Sequence, residues 1–126
     1  MIRYLYNDQK QPPAPFITVT LIHPHTGGEV RDIPAQMDTG ADQTLVPSAI
    51  VAALGLSKSG SIVVVGVGGN CEEMTLFDVL LSVHSLPPRR LEVLVHPGEP
   101  WILLGRDVLN GHRVLLDGPG LVLEIS

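Results

Sequence analysis

The chain has 126 residues, an apolar fraction of 44% and a formal net charge of −5; this bounds it to one domain with a core of its own and argues against a nucleic-acid partner, which would need a basic face. Two Phe, two Tyr and one Trp make that core aliphatic, and the single cysteine, Cys71, excludes an internal disulfide and fits a reducing compartment. No stretch approaches the roughly 20 apolar residues of a membrane span and "MIRYLYNDQK" lacks the apolar centre of a signal peptide, so the expectation is a soluble, cytoplasmic protein with no membrane partner.

Residues 1–15 read as a polar, Pro-rich lead ("NDQKQPPAP") ahead of a domain spanning 16–126. "FITVTLIHP" alternates like a strand with one buried face, "HTGGE" is a turn, and "VRDIPAQM" returns as the second strand of a hairpin. Met37 ends that strand and Asp38 opens a turn; Pro47 then begins the short helical pattern "PSAIVAALGL", closed by Gly55. "SIVVVGVGGNCEEMTLFDVLLSVHSL" reads as two strands around a glycine-rich tip at 66–70, "PPRR" as a solvated turn, and "LEVLVHP" as a further strand. "WILLG" is apolar throughout, as a strand buried on both faces should be, "RDVLNGH" makes about two helical turns stopped by Asn110–Gly111, and "RVLLDGPGLVLEIS" closes the chain as two strands around Asp-Gly-Pro-Gly. The pattern predicts an all-β domain, barrel-like or sandwich-like, with one or two short helices.

Few residues carry chemistry. "HPH" at 23–25 offers two histidines with no third metal ligand in evidence, and His84, His96 and His112 are scattered, so no metal site is expected. "GVGG" is followed by neither a helix nor a P-loop lysine, which argues against a phosphate cradle. There is no G-x-S-x-G, H-E-x-x-H or C-x-x-C, and serine, zinc and redox chemistry have no support. That leaves "MDTGADQTLVP", which sets an aspartate between an apolar strand and a Thr-Gly turn. Alone, such an aspartate is often a turn residue capping its own backbone, and Asp-Thr-Gly alone is a weak signal.

Three stretches taken together are more specific. "MDTGAD", "VVGVGGN" and "WILLGRDVL" occur in the order of the catalytic loop, flap and second signature of retropepsin-like aspartic proteases, and the chain resembles that family over residues 16 to 126. The resemblance implies a retropepsin-like acid protease barrel, one lobe per chain, with Asp38 as the catalytic carboxylate and Thr39, Gly40 and Ala41 as the active-site loop. It also implies that Thr39 locks two such loops together and that Gly40, Asp42, Gly66, Val67 and Gly68 bind the substrate backbone, Val67 at the flap apex. Asp42 would form a partly buried ion pair with Arg106. No cofactor is implied.

The chemistry needs two carboxylates sharing one proton, because like charges about 3 Å apart cannot both ionise. One Asp-Thr-Gly per chain therefore implies a homodimer in which each subunit supplies one Asp38, and a mean hydropathy of +0.28 fits apolar surface covered by another chain. The C-terminal "GLVLEIS" would supply part of that interface, while the lead has no clear counterpart to the family's N-terminal interface strand. Met37 stands where a smaller or β-branched residue is usual. The function expected is an aspartic endopeptidase acting on extended, largely apolar peptide or protein segments. The alternative is a catalytically weak or silent dimerising, peptide-binding module of the same fold; an unrelated monomeric β-barrel interaction protein is a third reading.

Overall fold

The computed structural model describes residues 1–96 and 98–126. The first long pair is the hairpin β2 (Phe16–Ile22) and β3 (Glu29–Met37). Its period-2 apolar pattern buries Ile17, Val19 and Leu21 from one strand and Ile33, Ala35 and Met37 from the other. Met37, unusual on the family pattern, is thus an ordinary core residue. The turn between them is fixed by His23, which is buried: its Nδ1 accepts the backbone N–H groups of His25 and Thr26, both at 3.1 Å. "HPH" is therefore a turn device rather than two exposed rings, and no metal-ligand cluster occurs among the described residues.

Next come a three-residue strand β4 (Leu45–Pro47) and helix α1 (Ser48–Leu54). Gly55 ends α1 at φ +64°, a left-handed C-cap that a residue with a Cβ would adopt only at a cost, and its N–H reaches the Ala52 carbonyl. Two long strands, β5 (Lys58–Val65) and β6 (Cys71–Ser82), form the second hairpin; β7 (Arg89–His96) pairs with the lower half of β6. β8 (Ile102–Leu104), α2 (Arg106–Leu109), β9 (Val114–Asp117) and β10 (Val122–Ile125) complete the chain.

Seven strands lie in the order β2-β3-β8-β4-β7-β6-β5, and a further pairing of β2 with β6, Leu21 opposite Leu81, closes the sheet on itself. The fold is the all-β barrel with two short helices that a single retropepsin-like lobe requires. Its interior is aliphatic: Ile17, Leu21, Val46, Val79, Ile102 and Leu104 are all fully buried, each stabilising the fold by about 1.5–3 kcal/mol. β8 runs between β3 and β4, parallel to the first (Met37 opposite Leu104) and bridged antiparallel to the second at Leu45–Leu103. The loop joining β3 to β4, residues 38–44, must therefore straddle the end of β8.

Two expectations need correction. The lead contains a strand, β1 (Ile2–Leu5), paired along its length with β10 in a second sheet of order β1-β10-β9. Ile2 and Tyr4 pack on the core from it, and Lys10 sits 3.2 Å above the centroid of the Trp101 ring. Arg89 and Arg90 do not lie in a solvated turn. Both begin β7, where Arg90 makes a two-pronged contact with Asp78 on β6 and Arg89 donates to the Val108 carbonyl near the end of α2 at 3.4 Å. A Cβ at Gly111 would meet only the end of that Arg89 side chain, which can swing aside.

Candidate active site

Asp38 stands at the point where β3 stops. Its N–H donates to the Leu104 carbonyl at 3.0 Å, extending the β3–β8 pairing by one bond, and its carbonyl accepts the Ala41 N–H at 3.2 Å to turn the chain. The side chain is half-buried. Oδ1 accepts the Gly40 N–H at 3.0 Å, and a Cβ on Gly40 would lie only 3.2 Å from that same oxygen. Glycine therefore keeps the carboxylate uncrowded, and one oxygen is fixed while Oδ2 has no hydrogen-bond partner among the described residues. The turn-capping reading of Asp38 and the catalytic one are compatible, since they use different oxygens.

The loop is held from behind by α2 and the residue before it. A Cβ at Gly105 would lie 2.6 Å from the Gln43 carbonyl carbon and 3.0 Å from the Ala41 oxygen, so the backbones touch where only glycine fits. Arg106 donates its N–H to the Ala41 carbonyl at 2.9 Å and Nη1 to the Thr39 carbonyl at 2.7 Å, while Nη2 contacts Asp42 Oδ1. The structure thus brings Asp42 and Arg106 together, but in water rather than partly buried: the Asp42 side chain is 84% exposed, and an ion pair in that setting contributes about 0–1 kcal/mol.

The stronger lock escaped the sequence reading. Thr44 is fully buried. Its hydroxyl donates to Asp107 Oδ1 at 2.7 Å and accepts the Gly105 N–H at 3.1 Å, and its own N–H reaches Asp107 Oδ2 at 3.0 Å. The Thr44 carbonyl accepts the Leu94 N–H, tying the same residue to β7. The only clues in the sequence were a threonine six positions after Asp38 and an acid directly after Arg106.

Opposite the loop stands the β5–β6 hairpin. Its tip closes with the Gly66 N–H on the Asn70 carbonyl at 2.8 Å and the Gly69 N–H on the Gly66 carbonyl at 3.2 Å. Gly68 and Gly69 take φ +91° and +81°, so the tip conformation depends on glycine. Val67 is fully exposed there. Between hairpin and loop lies an open cleft of about 480 Å³, lined by Gly40 and Asp42 on one side and by Leu45, Ile62, Val64 and Leu94 on the other. Of the residues singled out from the sequence, Gly40, Ala41 and Asp42 line this cleft, whereas Asp38 and Thr39, the two residues before them, do not; Gly66, Val67 and Gly68 sit at the hairpin end.

A barrel of one lobe, closed over an aliphatic core and carrying an Asp-Thr-Gly loop straddling a buried strand, defines the class of single-lobe aspartic proteases. The sequence agrees: a family model described as retroviral aspartyl protease matches residues 12–117, and the chain belongs to that family. No curated protein matches it in sequence. Among solved structures it is similar to EIAV protease complexed with the inhibitor HBY-793, at 25% identity and a TM-score of 0.61 over 90% of this chain and 100% of that one. A retropepsin-like aspartic protease from Rickettsia conorii matches at 12% identity and TM-score 0.62 over 99% and 91%. The simian foamy virus (mac) protease matches at 19% and 0.55 over 76% and 92%; these last two likenesses concern the fold alone. No helix among the described residues is long and apolar enough to cross a membrane.

Proposed function

We propose that the chain is an aspartic endopeptidase that works as a homodimer. The observation that carries this reading is the half-built state of its carboxylate: Asp38 has one oxygen held by the Gly40 N–H and the other without a partner, while the neighbouring acids are committed, Asp42 to Arg106 and Asp107 to Thr44. Neither of these neighbouring acids is free to share its proton, and the chemistry needs a second carboxylate. A two-fold axis supplies it as Asp38 of a second copy. One Asp38 then takes a proton from water as general base while the protonated mate polarises the scissile carbonyl.

The remaining residues take roles around that pair. Thr39 meets its mate across the axis, Gly40 and Asp42 hold the substrate backbone, and the β5–β6 hairpin acts as a flap that closes with Val67 at its apex to exclude water. The aliphatic wall of Leu45, Ile62, Val64 and Leu94 suits an extended apolar peptide. No metal or cofactor enters the mechanism. The terminal sheet offers a meeting surface. Both edges of β10 are taken by β1 and β9 of its own chain, which leaves β1 and β9 as the edge strands; of these, β9 exposes two adjacent leucines, Leu115 and Leu116, and is the edge at which a partner pairs.

The test is a peptide-library digest with wild type and Asp38→Asn. The substitution keeps the side chain's shape and the Gly40 contact but cannot share a proton, so cleavage should vanish with the fold and dimer intact, and wild-type activity should be greatest at mildly acidic pH, where the pair keeps one proton. Wild-type turnover by Asp38→Asn ends the proposal.

A further inference from the structure

We infer that Glu72 gives the cleft a preference for a cationic side chain in the flank of the peptide it binds; this deepens, and rests on, the reading of the cleft as a peptide site. The argument is one of strand register. Residues directly opposite in a paired sheet share a face, and alternate residues along a strand return to it. Leu45 lies opposite Leu94, Leu94 opposite Leu76, and on the hairpin Met74 lies opposite Ile62. These residues form one aliphatic face running from β4 to β5; Leu45, Leu94, Ile62 and Val64 from it line the cleft, which Val63 and Val65 of the other, more exposed face of β5 also border.

Glu72 is the next residue on that face, directly opposite Val64. It is exposed and makes no hydrogen bond or ion pair among the described residues. Its neighbour Glu73 lies on the other face, opposite Val63, where it accepts the Ser61 hydroxyl at 2.9 Å. Two adjacent glutamates thus have different surroundings: Glu73 is occupied by Ser61, and Glu72 stands unpaired on the face of Ile62 and Val64, across the strand pair from the residues that line the cleft. A Lys or Arg presented by an extended peptide supplies the missing counter-charge while its methylene stem lies along Val64 and Ile62. A glutamate in the same place meets like charge.

The measurement uses the intact chain and matched peptides with a constant Leu/Val-rich centre, carrying Lys, Gln or Glu at each flanking position in turn. At the responsive position, kcat/KM for Lys over Glu should be about three- to tenfold in wild type, the scale of an exposed charge pair going from attraction to repulsion. The ratio should shrink as salt is raised from about 0.05 to 0.5 M, fall to near one in Glu72→Gln, and persist in Glu73→Gln. A ratio equal in wild type and Glu72→Gln overturns the inference. Should wild type cleave nothing, the same peptides are titrated onto Asp38→Asn with and without Glu72→Gln: a Lys preference in binding that depends on Glu72 sustains the inference while the endopeptidase reading falls, and no binding of any peptide overturns both.

Discussion

Asp38 is positioned by neighbours that never touch the reacting atoms. Gly105 presses against Gln43 and Ala41, and both obstacles are backbone, so a methyl group there displaces the loop itself. Gly105→Ala should destabilise the chain by about 1–3 kcal/mol in urea unfolding and reduce turnover with it. Thr44→Val tests the other half of the lock. It preserves volume, but it leaves the Gly105 N–H without its acceptor and takes one of two donors from Asp107 Oδ1, which keeps the Val108 N–H, a loss of about 1–3 kcal/mol. Asp42→Ala removes only a solvated ion pair and should cost less than about 1 kcal/mol when measured at concentrations where the chain is monomeric. The ordering is the test: if Asp42→Ala destabilises as much as Thr44→Val, the loop is not held from behind as described.

At the scale of elements, what could be read from the sequence depended on length and locality. Strands of seven or more residues announced themselves by alternation, as in β2 and β3, and α1 by Pro47 before it and Gly55 after it. β8, β9 and β10 are as short as β4 and β1 but are marked by an unbroken apolar run or a Gly-Pro turn, whereas β4 runs straight into the helical pattern of α1 and β1 lies beside a Pro-rich run. Asp38, Gly40 and the glycine-rich tip were legible because a short motif carries them. Thr44 and Asp107 are 63 positions apart, and nothing local links them. The same holds for Arg90, whose partner Asp78 is supplied by the β6–β7 register. The Arg90 guanidinium, by hydrogen bonding first and then by charge, holds the Asp78 carboxyl below its ordinary value of 3.8. A depressed carboxylate stabilises the fold above that value and stops doing so as the pH falls through the lower folded one. Asp78→Asn should therefore lower the Tm slightly at pH 7, with the gap to wild type closing as the pH falls below 3.8 through the lowered folded value. A gap that stays constant to that acidity would assign the loss to packing.

For the whole molecule, the proposed site exists only when two chains meet, so assembly and turnover are one measurement. The three-stranded sheet β1-β10-β9 has its inner face on the core through Leu123 and Ile125, both fully buried. The β9 edge, Val114–Asp117, carries unpaired backbone groups beside Leu115 and Leu116, which are 58% and 49% exposed. An edge of this kind is a template for another strand; in the proposed homodimer a two-fold axis beside it pairs β9 with its own copy antiparallel, each leucine meeting the equivalent surface of the mate. Specific activity of the wild type should fall on dilution through the dimer dissociation constant. Leu115→Lys places two like charges across that axis while setting an opposite charge beside Glu124, its cross-strand neighbour in the same chain, so the monomer is not weakened. Its dilution curve should move to at least about tenfold higher concentration, equivalent to about 1.4 kcal/mol, with thermal unfolding of the dilute chain unchanged. Sedimentation and activity should shift together, because a chain that cannot meet its copy has only one Asp38. An unshifted curve for Leu115→Lys would move the interface away from β9, and specific activity that stays constant down to the monomer would remove the need for a second chain.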